Sequence, residues 1–174
     1  MPRMTHQTRV LLDGLYFGEG PRWHAGRLWF SDFYARRIGS VSLEGDLRVE
    51  LPWDERTSGL GWMPDGSLLF VSMERRALFR RWPDGRTTQH ADLSGVHAHL
   101  SNDMVVDAEG RAYVGNFGFD LHAELRARGD VAVLAEHPTA SLALVQPDGS
   151  VEVAAEGLHF PNGMVITPDG GTLI

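Results

Sequence analysis

The chain has 174 residues, with 16 Lys plus Arg against 23 Asp plus Glu and a formal net charge of −7. It contains no cysteine, which excludes disulfides, thiolate catalysis and cysteine-ligated zinc, and its acidic balance argues against nucleic acid as a partner, because phosphate recognition needs a basic surface. No apolar run reaches the roughly 18 residues that span a bilayer, and Met1 to Val10 lacks the apolar core of a secretory signal, so the expectation is no membrane partner and a cytoplasmic location.

In chain order, the first strand signals lie at Gly18 to Trp23 and Arg27-Leu28-Trp29-Phe30, on either side of His24-Ala25-Gly26. A second turn follows at Glu44-Gly45-Asp46. The pattern returns with Ser58 to Trp62, Pro64-Asp65-Gly66, Ser67-Leu68-Leu69-Phe70-Val71 and Pro83-Asp84-Gly85. It returns again with Asn102 to Val106, Ala108-Glu109-Gly110, Ala112-Tyr113-Val114 and Pro147-Asp148-Gly149, and a last time with Asn162 to Ile166 and Pro168-Asp169-Gly170. Pro presets φ and Gly accepts positive φ, so these are tight reversals between short strands rich in aromatic and β-branched residues.

Gly26 and Gly66 are 40 residues apart, as are Gly45 and Gly85. Two hairpins per repeat make four strands, and four strands in about 40 residues is a propeller blade. The chain is therefore expected to be all-β, a β-propeller with blade one at about 18–57, blade two at about 58–100, blade three at about 101–160 and a fourth blade starting at 161. Closure takes typically 4–8 blades, so residues 1–174 are expected to be a fragment of a longer propeller. The third repeat is long, with 117–140 between its second and third strands and a short helix predicted over Leu121 to Arg128.

Aligning the first strands places Glu19, Ser58, Asn102 and Asn162 at one position. First strands line the central channel of a propeller, so these side chains converge. A carboxylate, a hydroxyl and two amides are hard oxygen donors suited to Ca²⁺ or Mg²⁺. A second reading is that polar residues simply begin strands after loops. Strand direction puts 117–140 over the same mouth as Glu19 and Asn162, as a lid or specificity wall or as an insertion without a role. His97 and His99 are either loop histidines or two ligands awaiting a third. Trp23 and Trp62 read as packing between blades, Arg75-Arg76 and Arg80-Arg81 as a solvated face, and Asp32 and Asn116 as strand caps. No P-loop, dinucleotide turn or nucleophile elbow is present.

Gly18-Glu19-Gly20-Pro21-Arg22-Trp23, Ser101-Asn102-Asp103, Phe160-Pro161-Asn162-Gly163-Met164 and Thr167-Pro168-Asp169-Gly170, in this order, resemble the SMP-30/gluconolactonase/luciferin-regenerating-enzyme family from about Leu11 onward. The resemblance implies a six-bladed propeller with one divalent cation at its centre, Ca²⁺ in first place and Mg²⁺, Mn²⁺ or Zn²⁺ as alternatives. It implies metal-dependent hydrolysis of small lactones or related esters. Glu19 and Asn162 match metal-binding positions of the family, and Asn102 an asparagine that contacts substrate or the ion. Leu100 stands where sugar-lactone members carry arginine, two residues before Asn102. The general-base aspartate of the family falls beyond Ile174, so residues 1–174 alone are expected to be inactive. A non-catalytic propeller binding calcium or another ligand is the second reading.

Overall fold

The computed structural model describes residues 8–174. The first sheet holds β1 (Gly18–His24), β2 (Arg27–Asp32), β3 (Arg37–Val41) and β4 (Leu47–Pro52). The second holds β5 (Thr57–Trp62), β6 (Leu68–Ser72), β7 (Ala77–Arg81) and β8 (Thr87–Asp92). The third holds β9 (Ser101–Val106), β10 (Ala112–Asn116), β11 (Ala140–Val145) and β12 (Val151–Leu158). Each is an antiparallel meander of four consecutive strands, as the two-hairpin repeat predicts. Between β10 and β11 lie α1 (Leu121–Arg128) and α2 (Asp130–Ala135).

The repeat is visible in single hydrogen bonds. Phe33 N–H donates to the Phe17 carbonyl at 2.9 Å, Met73 N–H to Arg56 at 3.1 Å and Phe117 N–H to Leu100 at 3.0 Å. Each ties the end of a second strand to the segment entering the first. Trp53 N–H to Arg36 (2.9 Å) and Leu93 N–H to Arg76 (2.8 Å) repeat in the same way, and Arg36 and Arg76 both sit at positive φ, 53° and 50°.

The sheets stack face to face along β1, β5 and β9, and the core lies between them. Ile38, Leu51, Leu60, Leu68 and Phe70 pack with Trp29, Trp53 and Trp62 between the first two sheets. Leu69, Val71, Met73, Leu78, Met104 and Val114 fill the space between the second and third. Trp62 takes the packing role expected of it, with its ring 5.2 Å from Trp29 and stacked on His24 at 3.9 Å. Trp23 does not. It is 56% exposed and has no aromatic partner among the described residues.

Inner strands approach closely. A Cβ at Gly20 would lie 2.8 Å from the Ser58 carbonyl oxygen, and one at Gly59 would overlap Met104 N. Only glycine admits backbone at that distance. After β12 the chain passes Asn162 and forms a narrow hairpin around Pro168-Asp169-Gly170. There Val165 and Ile174 exchange hydrogen bonds of 3.0 and 2.9 Å, and Ile166 bridges Leu173.

Candidate metal and substrate site

Pairing is irregular where the expected site residues sit. Bulges interrupt the ladder between Glu19 and Arg22 in the first sheet, between Thr57 and Leu60 in the second, and between Val114 and Asn116 opposite Ser101 in the third. A bulge bends the strand and re-aims its side chains, and here three bulges occur at the same end of three inner strands. Phe160, two residues before Asn162, is held at φ 54°, a strained conformation for a bulky residue.

Glu19, Asn102 and Asn162 line one cavity of about 170 Å³, together with Phe17, Phe33, Tyr34, Phe117, Leu121, His122 and Phe160. Asn102 Nδ2 donates to Asn162 Oδ1 at 3.0 Å. Ser58 Oγ donates to Asn102 Oδ1 at 3.2 Å, and the Ser58 carbonyl accepts from Ser31 Oγ at 2.6 Å. Asn102 is buried and Asn162 exposed. Ser58 is buried beneath the cavity and supports Asn102. Leu121 and His122 belong to α1, so the insertion reaches the same mouth as Glu19. A hollow of about 490 Å³ lies elsewhere, beside Trp53, Arg75 and Phe79, but its charged groups, Arg75 and Asp54, are already paired at 2.8 and 2.7 Å.

Burial raises the pKa of Glu19 from its ordinary value. The nearby charge of Asp103 raises it further, and a hydrogen bond from the Gly20 backbone N–H opposes both. Among the described residues no Lys, Arg or His pairs with Glu19. Asp103 differs. Its pKa is also raised, chiefly by burial, but Arg22 pairs with it at 3.1 Å and also donates to the Met104 carbonyl. Arg22 therefore crosses from β1 to β9 and neutralises the buried carboxylate of Asp103, leaving half-buried Glu19 uncompensated.

That donor set fits a hard divalent cation. It offers one unpaired carboxylate and two amide oxygens, with no sulfur or imidazole. Among the described residues no three His, Asp or Glu side chains converge to hold a metal, so any site here needs the amides.

Three features escaped sequence reasoning. Arg22 and Asp103 lie 81 residues apart, and nothing in local pattern announces their ion pair. His97 is fully buried. Its Nδ1 lies 2.7 Å from Ser101 Oγ and its Nε2 3.2 Å from the Val114 carbonyl. The carbonyl can only accept, so Nε2 carries the proton and Nδ1 accepts from Ser101. Burial lowers the His97 pKa to about 4. Both ring nitrogens are committed to fixing the start of β9, one residue from Asn102, so His97 is not a ligand. His99 lies 3.9 Å from Asp120, the residue capping α1. Asp32 and Asn116 are strand caps as expected. Asp32 accepts from Tyr16 N, Phe17 N and Arg37, while Asn116 donates to the Ser141 carbonyl and accepts from Gly118 N.

Stacked four-stranded antiparallel meanders, with a polar cluster at the starts of their inner strands, define a β-propeller-type fold. The chain belongs to the SMP-30/gluconolactonase/LRE-like family, whose model matches residues 17–174. A gluconolactonase from Xanthomonas campestris superposes with a TM-score of 0.72 at 27% identity, over 94% of this chain and 55% of that one. Regucalcin from Agrobacterium tumefaciens str. C58, described as a calcium-binding protein, superposes with a TM-score of 0.66 at 25% identity, over 92% and 50%. A chain of a nidogen/laminin complex shares the fold alone, with a TM-score of 0.67 at 15% identity over 90% and 55%. The chain thus spans about half the length of these solved relatives. Among curated proteins none matches it in sequence. No helix among the described residues is long and apolar enough to cross a membrane.

Proposed function

We propose that this chain supplies half of a divalent-cation site, with Ca²⁺ as the first candidate, in a hydrolase of lactones or related esters. The supporting observation is that Glu19, Asn102 and Asn162 line one cavity in a chain whose relatives include a gluconolactonase. Glu19 holds the cation by charge, and Asn162 and Asn102 offer it neutral oxygens. Asn102, buried and fixed by Ser58, also has an amide N–H able to orient the substrate. When bound, the cation supplies polarisation of the carbonyl and balance for the negative charge that develops on its oxygen. We assign the general base to an aspartate on the inner strand of a later blade, beyond Ile174, and residues 1–174 alone to an inactive state. Glu19 serves as ligand rather than base.

The test follows lactone hydrolysis in a chain extended past Ile174 while Ca²⁺, Mg²⁺, Mn²⁺ and Zn²⁺ are restored after chelation. Restored turnover that falls at least about 100-fold in Glu19→Gln and Asn162→Ala supports the proposal. Turnover insensitive to chelation overturns it. One observation favours a non-catalytic calcium-binding module instead: Asp103, the other carboxylate in the cluster, is held by Arg22. Metal binding without turnover on any lactone would select that reading.

A further inference from the structure

The cavity walls are apolar on both sides. From the first sheet, Phe17, Phe33 and Tyr34 pack against one another with ring centroids 4.8 to 5.8 Å apart. From the third sheet and its insertion come Phe117 and Phe160, 4.7 Å apart, and Leu121. Among the described residues no Lys or Arg lines the cavity. Its polar groups are Glu19, Asn102, Asn162, His122 and the Tyr34 hydroxyl, and the two amides already bond each other. Leu100, whose carbonyl accepts from Phe117 N–H, packs into the neighbouring core.

A polyhydroxylated ring placed here would bury hydroxyls against aromatic C–H groups with too few partners, which is unfavourable for each unmatched group. An alkyl substituent would instead exchange water for aromatic surface. The size agrees: an apolar cavity of about 150 Å³ accepts a benzene ring, and this one, at about 170 Å³, accepts a six-membered lactone with a short chain.

We propose that the cavity takes a lactone-sized ring bearing an apolar substituent and disfavours polyhydroxylated sugar lactones. The identity of the ring rests on the hydrolase reading above; the apolar preference rests on the wall.

Lactams, which resist hydrolysis, separate the two. The purified Ca²⁺-loaded protein is titrated calorimetrically with 6-propylpiperidin-2-one and with D-glucono-δ-lactam. Each buried methylene contributes about fourfold, so the propyl lactam is expected to bind at least about tenfold more tightly even with its chain part-buried. Leu121→Asn and Tyr34→Ser should each reduce that ratio about threefold or more. Tyr34 is 54% exposed, so its variant keeps the fold if the other does not. Equal or tighter binding of the gluconolactam, or binding of neither, overturns the inference. Turnover of the matching lactones is read in parallel. Preference for the propyl lactam without turnover of its lactone in the chain extended past Ile174 upholds the wall and removes the hydrolase reading.

Discussion

Glu19 and Asp103 share a charge and a burial problem but are treated differently. Asp103 has Arg22; Glu19 has no cationic partner among the described residues. Two other titratable residues give pH predictions of opposite sign. His97 has its pKa lowered to about 4 by burial, below its ordinary value near 6.5. Its contribution is complete above about pH 6.5 and fades as pH falls toward 4. Denaturant titration of His97→Phe should show a loss of about 2–3 kcal/mol at pH 7.5, with a flatter limb between pH 6.5 and 4. An unchanged midpoint would contradict its role in fixing β9. Glu55 is raised to about 7, first by burial and then by the charge of Glu74, so its contribution to stability is present at low pH and is lost as pH rises from about 4.5 to 7. Glu55→Gln should gain on the order of 1–2 kcal/mol at pH 8 and nothing at pH 4, read from melts at the two pH values. At this scale the convergence of Glu19, Asn102 and Asn162 on one cavity was legible because the repeat aligns them. His97 was not, because its partner is a carbonyl on β10, placed by strand register rather than by local sequence.

At the scale of elements, turn chemistry carried most of the information. Each Pro-Asp-Gly and its variants marked a reversal, flanked by strands in the three sheets and by the single Ile166–Leu173 bridge around Pro168-Asp169-Gly170. Leu121 to Arg128 forms α1 over the predicted residues, capped by Asp120 accepting from Ala123 N at 2.9 Å. Six-residue α2 carried no periodic signal long enough to read. The bulges at the inner-strand starts were also silent, since an extra residue in one strand shows only against its partner. Close approach of β5 to β9 gives a prediction. Gly59→Ala places a methyl group on Met104 backbone, so urea unfolding should show a loss of about 3 kcal/mol or more. A loss below about 1 kcal/mol would mean that the inner strands are less tightly packed.

For the whole molecule, sheet number, strand order and stacking followed from a 40-residue spacing, because a blade cannot bury its faces without neighbours. What the pattern did not carry was the long-range pairing that makes the centre chemically uneven, with Arg22 reaching β9 and α1 covering one wall of the cavity. The inner-strand starts are proposed to form a divalent-cation site in which, among the described residues, Glu19 is the carboxylate without a cationic partner. Calorimetric titration of Ca²⁺ into the chelator-treated chain extended past Ile174, and into its Glu19→Gln variant, tests this site, with Asp54→Asn as a control, because Asp54 is exposed and paired with Arg75. One Ca²⁺ per chain is expected, unchanged in Asp54→Asn and weakened at least about 30-fold in Glu19→Gln, the effect of removing a charge that faces the ion. Equal affinity in Glu19→Gln, or no binding in the unaltered protein, would contradict it.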